Sequence, residues 1–95
     1  MNPLKEVEVE TIEDVLTDLE VSLTRDLVLY NDDYNSFLHV IECLVKYCKH
    51  TFEQAEQCAM IVHNNGKCAV KNGSLEELEP MKDALCENGL DAKIE

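Results

Sequence analysis

The sequence predicts an α+β fold: a small antiparallel three-stranded sheet with helices packed on one face, in the order β-α-α-β-α-β. Three observations carry this expectation. Short apolar or alternating runs at 27–30, 67–71 and 90–95 are bounded by turn residues, as strands are. Between the first two runs, Phe37, Val40, Ile41, Leu44, Val45 and Cys48 recur at i, i+3, i+4, i+7, i+8 and i+11, which is one face of a helix. Thr51 with Gln54, and Ser74 with Glu77, are capping boxes that mark two further helix starts.

Each element follows from local chemistry. Leu27, Val28, Leu29 and Tyr30 are apolar on both faces, as in a strand covered on at least one side. Asn31-Asp32-Asp33 ends that strand, and Asn35 or Ser36 is placed to cap the next helix. The second helix runs from Thr51 to about Asn64, with Phe52, Ala55, Ala59 and Val62 along one side and Gly66 as a left-handed stop. In the third helical region Pro80 removes one helical hydrogen bond and biases Glu79 away from the helix. A short turn over 75–79 is therefore expected, then a main helix from Pro80 to Asn88, capped by Gly89. Leu90, Ala92 and Ile94 then alternate with Asp91, Lys93 and Glu95.

Ninety-five residues form one domain, with a compact part over 25–95. Residues 1–24 hold seven acids and one base, half of the net charge of −12. They read as an acidic N-terminal extension, alternating over 6–10 and spaced for a short helix over 12–20. The charge argues against nucleic acid and against an anionic membrane surface, because phosphates need clustered Lys and Arg. No run reaches the roughly 18–20 apolar residues of a membrane span, and the opening residues lack a secretory apolar run, so a cytoplasmic protein is expected. Cys43, Cys48, Cys58, Cys68 and Cys86 are then reduced thiols used as small apolar residues. A metal site is disfavoured by spacing. Cys43 and Cys48, like Cys58 and His63, are five apart on helices and so point about 140° apart.

Asn31, Asp32 and Asp33 supply side-chain acceptors next to the apolar helix face, and His63 offers a ring nitrogen about thirty residues on, within Val62-His63-Asn64-Asn65-Gly66-Lys67. Such a set can surround a small cation beside an apolar pocket, and a free polypeptide N-terminus presents both an ammonium and a first side chain. The structural alternative is equally simple: Asn and Asp fill strand-to-helix turns, and a histidine suits a helix C-terminus. Catalysis fits neither. Asp32 and Asp33 are adjacent and cannot flank a substrate, no cysteine stands beside the turn, and three glycines form no phosphate-cradling motif.

The stretches LVLYNDDYNSFLHVIECL and EQAEQCAMIVHNNGK closely resemble the ClpS adaptors of bacterial Clp proteases. The shared residues are Asn31-Asp32-Asp33-Tyr34, Val40-Ile41, Ala55, Gln57, Val62-His63 and Gly66-Lys67, strong over 27–67 and faint again at 90–95. The resemblance implies a non-enzymatic adaptor, without cofactor or metal. It would bind N-degrons, which are proteins whose N-terminal residue is large and apolar, and deliver them to an AAA+ unfoldase such as ClpA. It implies ammonium binding by Asn31, Asp32 and His63, with Asp33 on the acidic rim, and a side-chain pocket of Asn35, Phe37, Val40, Ala59, Val62 and Leu90. The family's flexible N-terminal extension assists transfer to the unfoldase, which would give residues 1–24 a task. Two departures stand out: Asn35-Ser36 replaces a common Thr-Pro, and Ala59 replaces a bulky residue, usually Met. The competing expectation, from another class, is an acidic interaction module that docks on the unfoldase without reading N-termini. A monomer is expected in either case.

Overall fold

The computed structural model describes residues 11–95, so the alternating run over 6–10 lies outside it. The elements are α1 (Ile12–Leu23), β1 (Arg25–Tyr30), α2 (Phe37–Cys48), α3 (Phe52–Asn65), β2 (Lys67–Gly73), α4 (Leu75–Glu87) and β3 (Asp91–Ile94). After α1 the order is the expected β-α-α-β-α-β, and α1 runs three residues past the helix read over 12–20. The sheet order is β2-β1-β3, with β1 antiparallel to both neighbours.

The central place of β1 explains its unbroken apolar run. Leu27 and Leu29 are buried against the helices, across from Ile94 and Ala92 of β3. Val28 turns to the other face, opposite Ala69 of β2 and Lys93 of β3. The ladder to β2 is irregular between Leu27 and Val28, where an extra residue on β2 carries Val70 into the core. From α2 come Ile41, Leu44 and Cys48, and from α3 Ala55, Ala59 and Val62, all less than 5% exposed. Stripes at three- and four-residue spacing thus close one layer of helices on one side of the sheet.

The expected break at Pro80 is absent: α4 is one helix from Leu75 to Glu87 with the proline inside it. Its cap is Ser74, whose hydroxyl accepts from the Glu77 N–H. A proline in a helix interior costs about 3 kcal/mol, and the packing supplies the offset. Leu78 and Leu85 are seven apart and therefore nearly eclipsed on a helix, and both are 0% exposed. Each is worth about 1.5–3 kcal/mol on burial, available together only if the helix runs through position 80. The helix stops at Gly89, φ +87°, and α3 stops at Gly66, φ +91°, both in the left-handed region that glycine enters without strain.

Among the described residues, no helix is long and apolar enough to cross a membrane. All five cysteines are free. Burial pushes the Cys48 thiol up to about 11, and burial does the same to Cys58 with the neighbouring Cys68 adding to it. Among the described residues, no group of three His, Cys, Asp or Glu side chains is arranged to hold a metal ion.

Candidate functional site

Strand pairing brings the two polar motifs together. The last β1–β2 pair is Tyr30 with Lys67, so the chain leaves the sheet at Asn31 directly across from the turn that ends α3. There the Asn31 N–H donates to the Gly66 carbonyl at 2.8 Å. Residues far apart in sequence, Asn31-Asp32-Asp33 and His63, become neighbours because one ladder ends at both.

The turn between β1 and α2 is built around Asp32. Its Oδ1 accepts from the N–H groups of Tyr34 at 2.9 Å and Asn35 at 2.8 Å. Its Oδ2 accepts from Asn35 Nδ2 at 2.7 Å. Asp32 is nevertheless not the cap of α2. That role falls to Ser36, whose hydroxyl accepts from the His39 N–H at 3.1 Å. Partial burial pushes the Asp32 carboxyl up, but the N–H and side-chain amide of Asn35, the N–H of Tyr34 and the nearby His39 outweigh it. They hold the group below the usual carboxylate range.

Beside this turn opens a cavity of about 540 Å3, lined by Asn31, Asp32, Asp33, Asn35, Phe37, Val40, Ala59, Met60, Val62 and His63. The polar residues stand at one end. Phe37 and Val40 from the start of α2 face Ala59, Met60 and Val62 from the second half of α3 and supply the apolar wall. A smaller recess lies against it, sharing Asn31, Asp32, Asn35, Val40 and Val62 and reaching Leu29, Tyr30 and Leu90.

Nine of the ten residues singled out in the sequence therefore line one cavity: Asn31, Asp32, Asp33, Asn35, Phe37, Val40, Ala59, Val62 and His63. Leu90 does not. It is 4% exposed and lies one layer deeper, against the small recess, because it precedes β3 at the floor of the core. Met60 is the wall residue that sequence reading passed over. It is half-exposed and sits three residues before His63, hence on a shared helix face. That spacing was the available signal.

The chemistry of the cavity is one-sided. It offers oxygen and ring-nitrogen acceptors at one end and apolar contact at the other. Nothing in it pairs a nucleophile with a base, and its two carboxylates belong to adjacent residues. It suits a ligand with a cationic or donor-rich head and an apolar tail.

A family model described as ATP-dependent Clp protease adaptor protein ClpS matches residues 24–93. Among curated relatives, the ATP-dependent Clp protease adapter protein ClpS of Thermosynechococcus vestitus is 35% identical over 65 residues, covering 67% of this chain and 69% of the relative. That of a Nostoc species is 38% identical over 65 residues, covering 67% of each. Among solved structures, Agrobacterium tumefaciens ClpS2 bound to L-phenylalaninamide superposes with a TM-score of 0.70, over 76% of this chain and 94% of that one. At 22% identity that last likeness shows a common fold.

Proposed function

Since the chain belongs to the ClpS family of ATP-dependent Clp protease adaptor proteins, we propose that it binds proteins through a free, apolar N-terminal residue. It catalyses nothing itself, and hands its cargo to an AAA+ Clp unfoldase of the ClpA type in the cytoplasm. The observation that carries this reading is the juxtaposition, in one cavity, of the acceptor cluster Asn31, Asp32 and His63 with the apolar wall of Phe37, Val40, Ala59, Met60 and Val62. An α-ammonium has three N–H donors, and these three side chains offer one acceptor apiece. Asp33 adds negative charge at the rim. The fold relative's ligand, L-phenylalaninamide, pairs the same two features: an ammonium and a large apolar side chain.

The magnitudes are adequate. A hydrogen bond to a charged group contributes about 1.5–3 kcal/mol, and burial of a Leu- or Phe-sized side chain about 1.5–3 kcal/mol. Discounted for the cost of association, their sum corresponds to a Kd in the micromolar range or somewhat tighter.

The experiment compares a Leu- or Phe-initiated peptide with its N-acetylated form, which lacks the charge and two donors. The free amine is expected to bind at least about tenfold more tightly, a difference of roughly 1.4 kcal/mol. Equal affinity would leave an acidic module that docks on the unfoldase without reading N-termini.

The extension over 1–24 has a separate task in this reading. In α1, the apolar residues Ile12, Val15 and Leu16 are exposed rather than packed into the core over 25–95, and none of them lines the cavity. Deleting residues 1–20 is expected to leave peptide affinity unchanged and to slow degradation of a tethered substrate by the unfoldase. Full-rate degradation by the truncated adaptor would show the extension to be dispensable for transfer.

A further inference from the structure

We propose that Asn35 is a positioning residue for ammonium recognition: its side-chain amide, anchored on the Gly89 carbonyl, fixes the Asp32 oxygen that meets the ligand. The proposal rests on the adaptor reading above. It begins with a count of lone pairs. A carboxylate has about four acceptor directions. In Asp32 three are already used, two on Oδ1 by the N–H groups of Tyr34 and Asn35 and one on Oδ2 by Asn35 Nδ2. One direction on Oδ2 remains, on a residue that lines the cavity, and in this proposal it takes the ligand's ammonium.

Where that direction points is set by Asn35. Its Nδ2 carries two hydrogens and gives one to Asp32 Oδ2 at 2.7 Å and the other to the Gly89 carbonyl at 2.8 Å. Both partners can only accept, so the amide cannot be turned over without setting oxygen against oxygen. The Gly89 carbonyl is itself held in place. The Gly89 N–H donates to the Cys86 carbonyl and the Leu90 N–H to the Leu85 carbonyl, each at 3.0 Å. The His39 ring adds a second tie between the same segments, its Nε2 donating to the Asn88 carbonyl at 2.9 Å. A continuous path of hydrogen bonds thus runs from the end of α4 through Asn35 to the open oxygen of Asp32. Without the amide, Oδ1 would keep its two backbone donors, but the plane of the carboxylate would be free to rotate.

The test uses the full chain and a Leu-initiated peptide in free and N-acetylated forms. Asn35→Ala leaves the backbone N–H of position 35 in place. It is expected to lower free-amine affinity by about tenfold, the factor of one well-oriented charge-assisted bond, and acetylated-peptide affinity by clearly less, since that peptide has no ammonium to lose. The free-to-acetylated ratio therefore collapses. In the ligand-free protein, the Asp32 carboxyl followed by NMR titration should move upward toward the ordinary carboxylate range. Asn35→Asp keeps the size and sets an acceptor against both Asp32 and Gly89, and should lose the ratio at least as fully. An unchanged ratio in either folded variant overturns the proposal. So does failure of both variants to fold, which would make Asn35 structural only. A wild type that does not distinguish the free from the acetylated peptide overturns instead the adaptor reading on which it rests.

Discussion

The turns that lead into α2 and α3 use the same chemistry to different ends. Before α3, Thr51 Oγ1 accepts from the Gln54 N–H at 3.1 Å, and Gln54 Oε1 accepts from the Thr51 N–H at 2.9 Å. Cap and partner satisfy each other, both residues are exposed, and neither lines a cavity. Before α2, the cap is Ser36, while Asp32 ties the preceding turn through the Tyr34 and Asn35 donors and also lines the cavity. A polar turn whose groups close on one another is structural. One that also borders an apolar cavity can take the binding role proposed for it.

Replacing the open carboxylate breaks the comparison most severely. Asp32→Asn keeps one oxygen for the Tyr34 and Asn35 N–H groups and removes the charge. Free-amine peptide affinity is expected to fall by about tenfold to a hundredfold, the range of a hydrogen bond to a charged group. Isothermal titration with a Leu-initiated peptide measures it. Stability carries a pH signature as well. The Asp32 carboxyl is held below its ordinary range in the folded protein, so its ionised form stabilises the fold above the unfolded value of about 3.9. That contribution is lost as pH falls through the lower folded value. The stability gap between wild type and Asp32→Asn should accordingly be largest at neutral pH and shrink in acid. An affinity untouched by Asp32→Asn would make this turn equivalent to the one before α3.

The matching change at the closed turn is smaller and of another kind. Thr51→Ala removes a cap, which costs about 1 kcal/mol of stability, and should leave peptide affinity at the wild-type value. Denaturant unfolding and peptide titration on the same preparation separate the two effects. A loss of affinity there would mean that the second half of α3, which carries Ala59, Met60, Val62 and His63, depends on how its first turn is fixed.

Much of this was legible in the sequence because it is written in local terms. The α2 stripe, the Thr51 and Ser74 caps and the stops at Gly66 and Gly89 each need only a few adjacent residues. Pro80 misled because its local cost was visible, whereas the burial of Leu78 and Leu85 that offsets it depends on what α4 packs against. The depth of Leu90, in the recess behind the cavity, and the place of Met60 on the cavity wall were hidden for a related reason. Periodicity says which side of an element is apolar, but not whether that side meets core or cavity. The two backbone bonds on Asp32 Oδ1 are those that turn chemistry expects of an aspartate here, but the third, from Asn35 Nδ2, was invisible for another reason. Alternation and spacing say nothing of where a carboxylate's second oxygen points, and the Gly89 carbonyl that completes the network comes from the far end of the chain.

The finest test of the comparison lies on the apolar side of the pocket, at Ala59. This residue is 3% exposed and lines the cavity three residues before Val62 and four before His63, so all three share one helix face. A small side chain here leaves room beside the β-carbon of the ligand's first residue, where Ile and Val are branched. Wild type is therefore expected to accept Ile or Val beside Leu and Phe, with some contact forfeited to Leu because unfilled space offers no dispersion partners. Ala59→Met fills that space. It should lower affinity for an Ile-initiated peptide by about fourfold, the equivalent of roughly 0.8 kcal/mol or one buried methylene, and preserve or raise affinity for Leu. The opposing wall could already be closed, since Phe37 and Met60 stand 40% and 48% exposed at the cavity and are large enough to swing across it. In that case wild type would reject Ile as firmly as it rejects Arg. Ala59→Met would then change nothing for Ile, and Phe37→Ala would be the substitution that admits it.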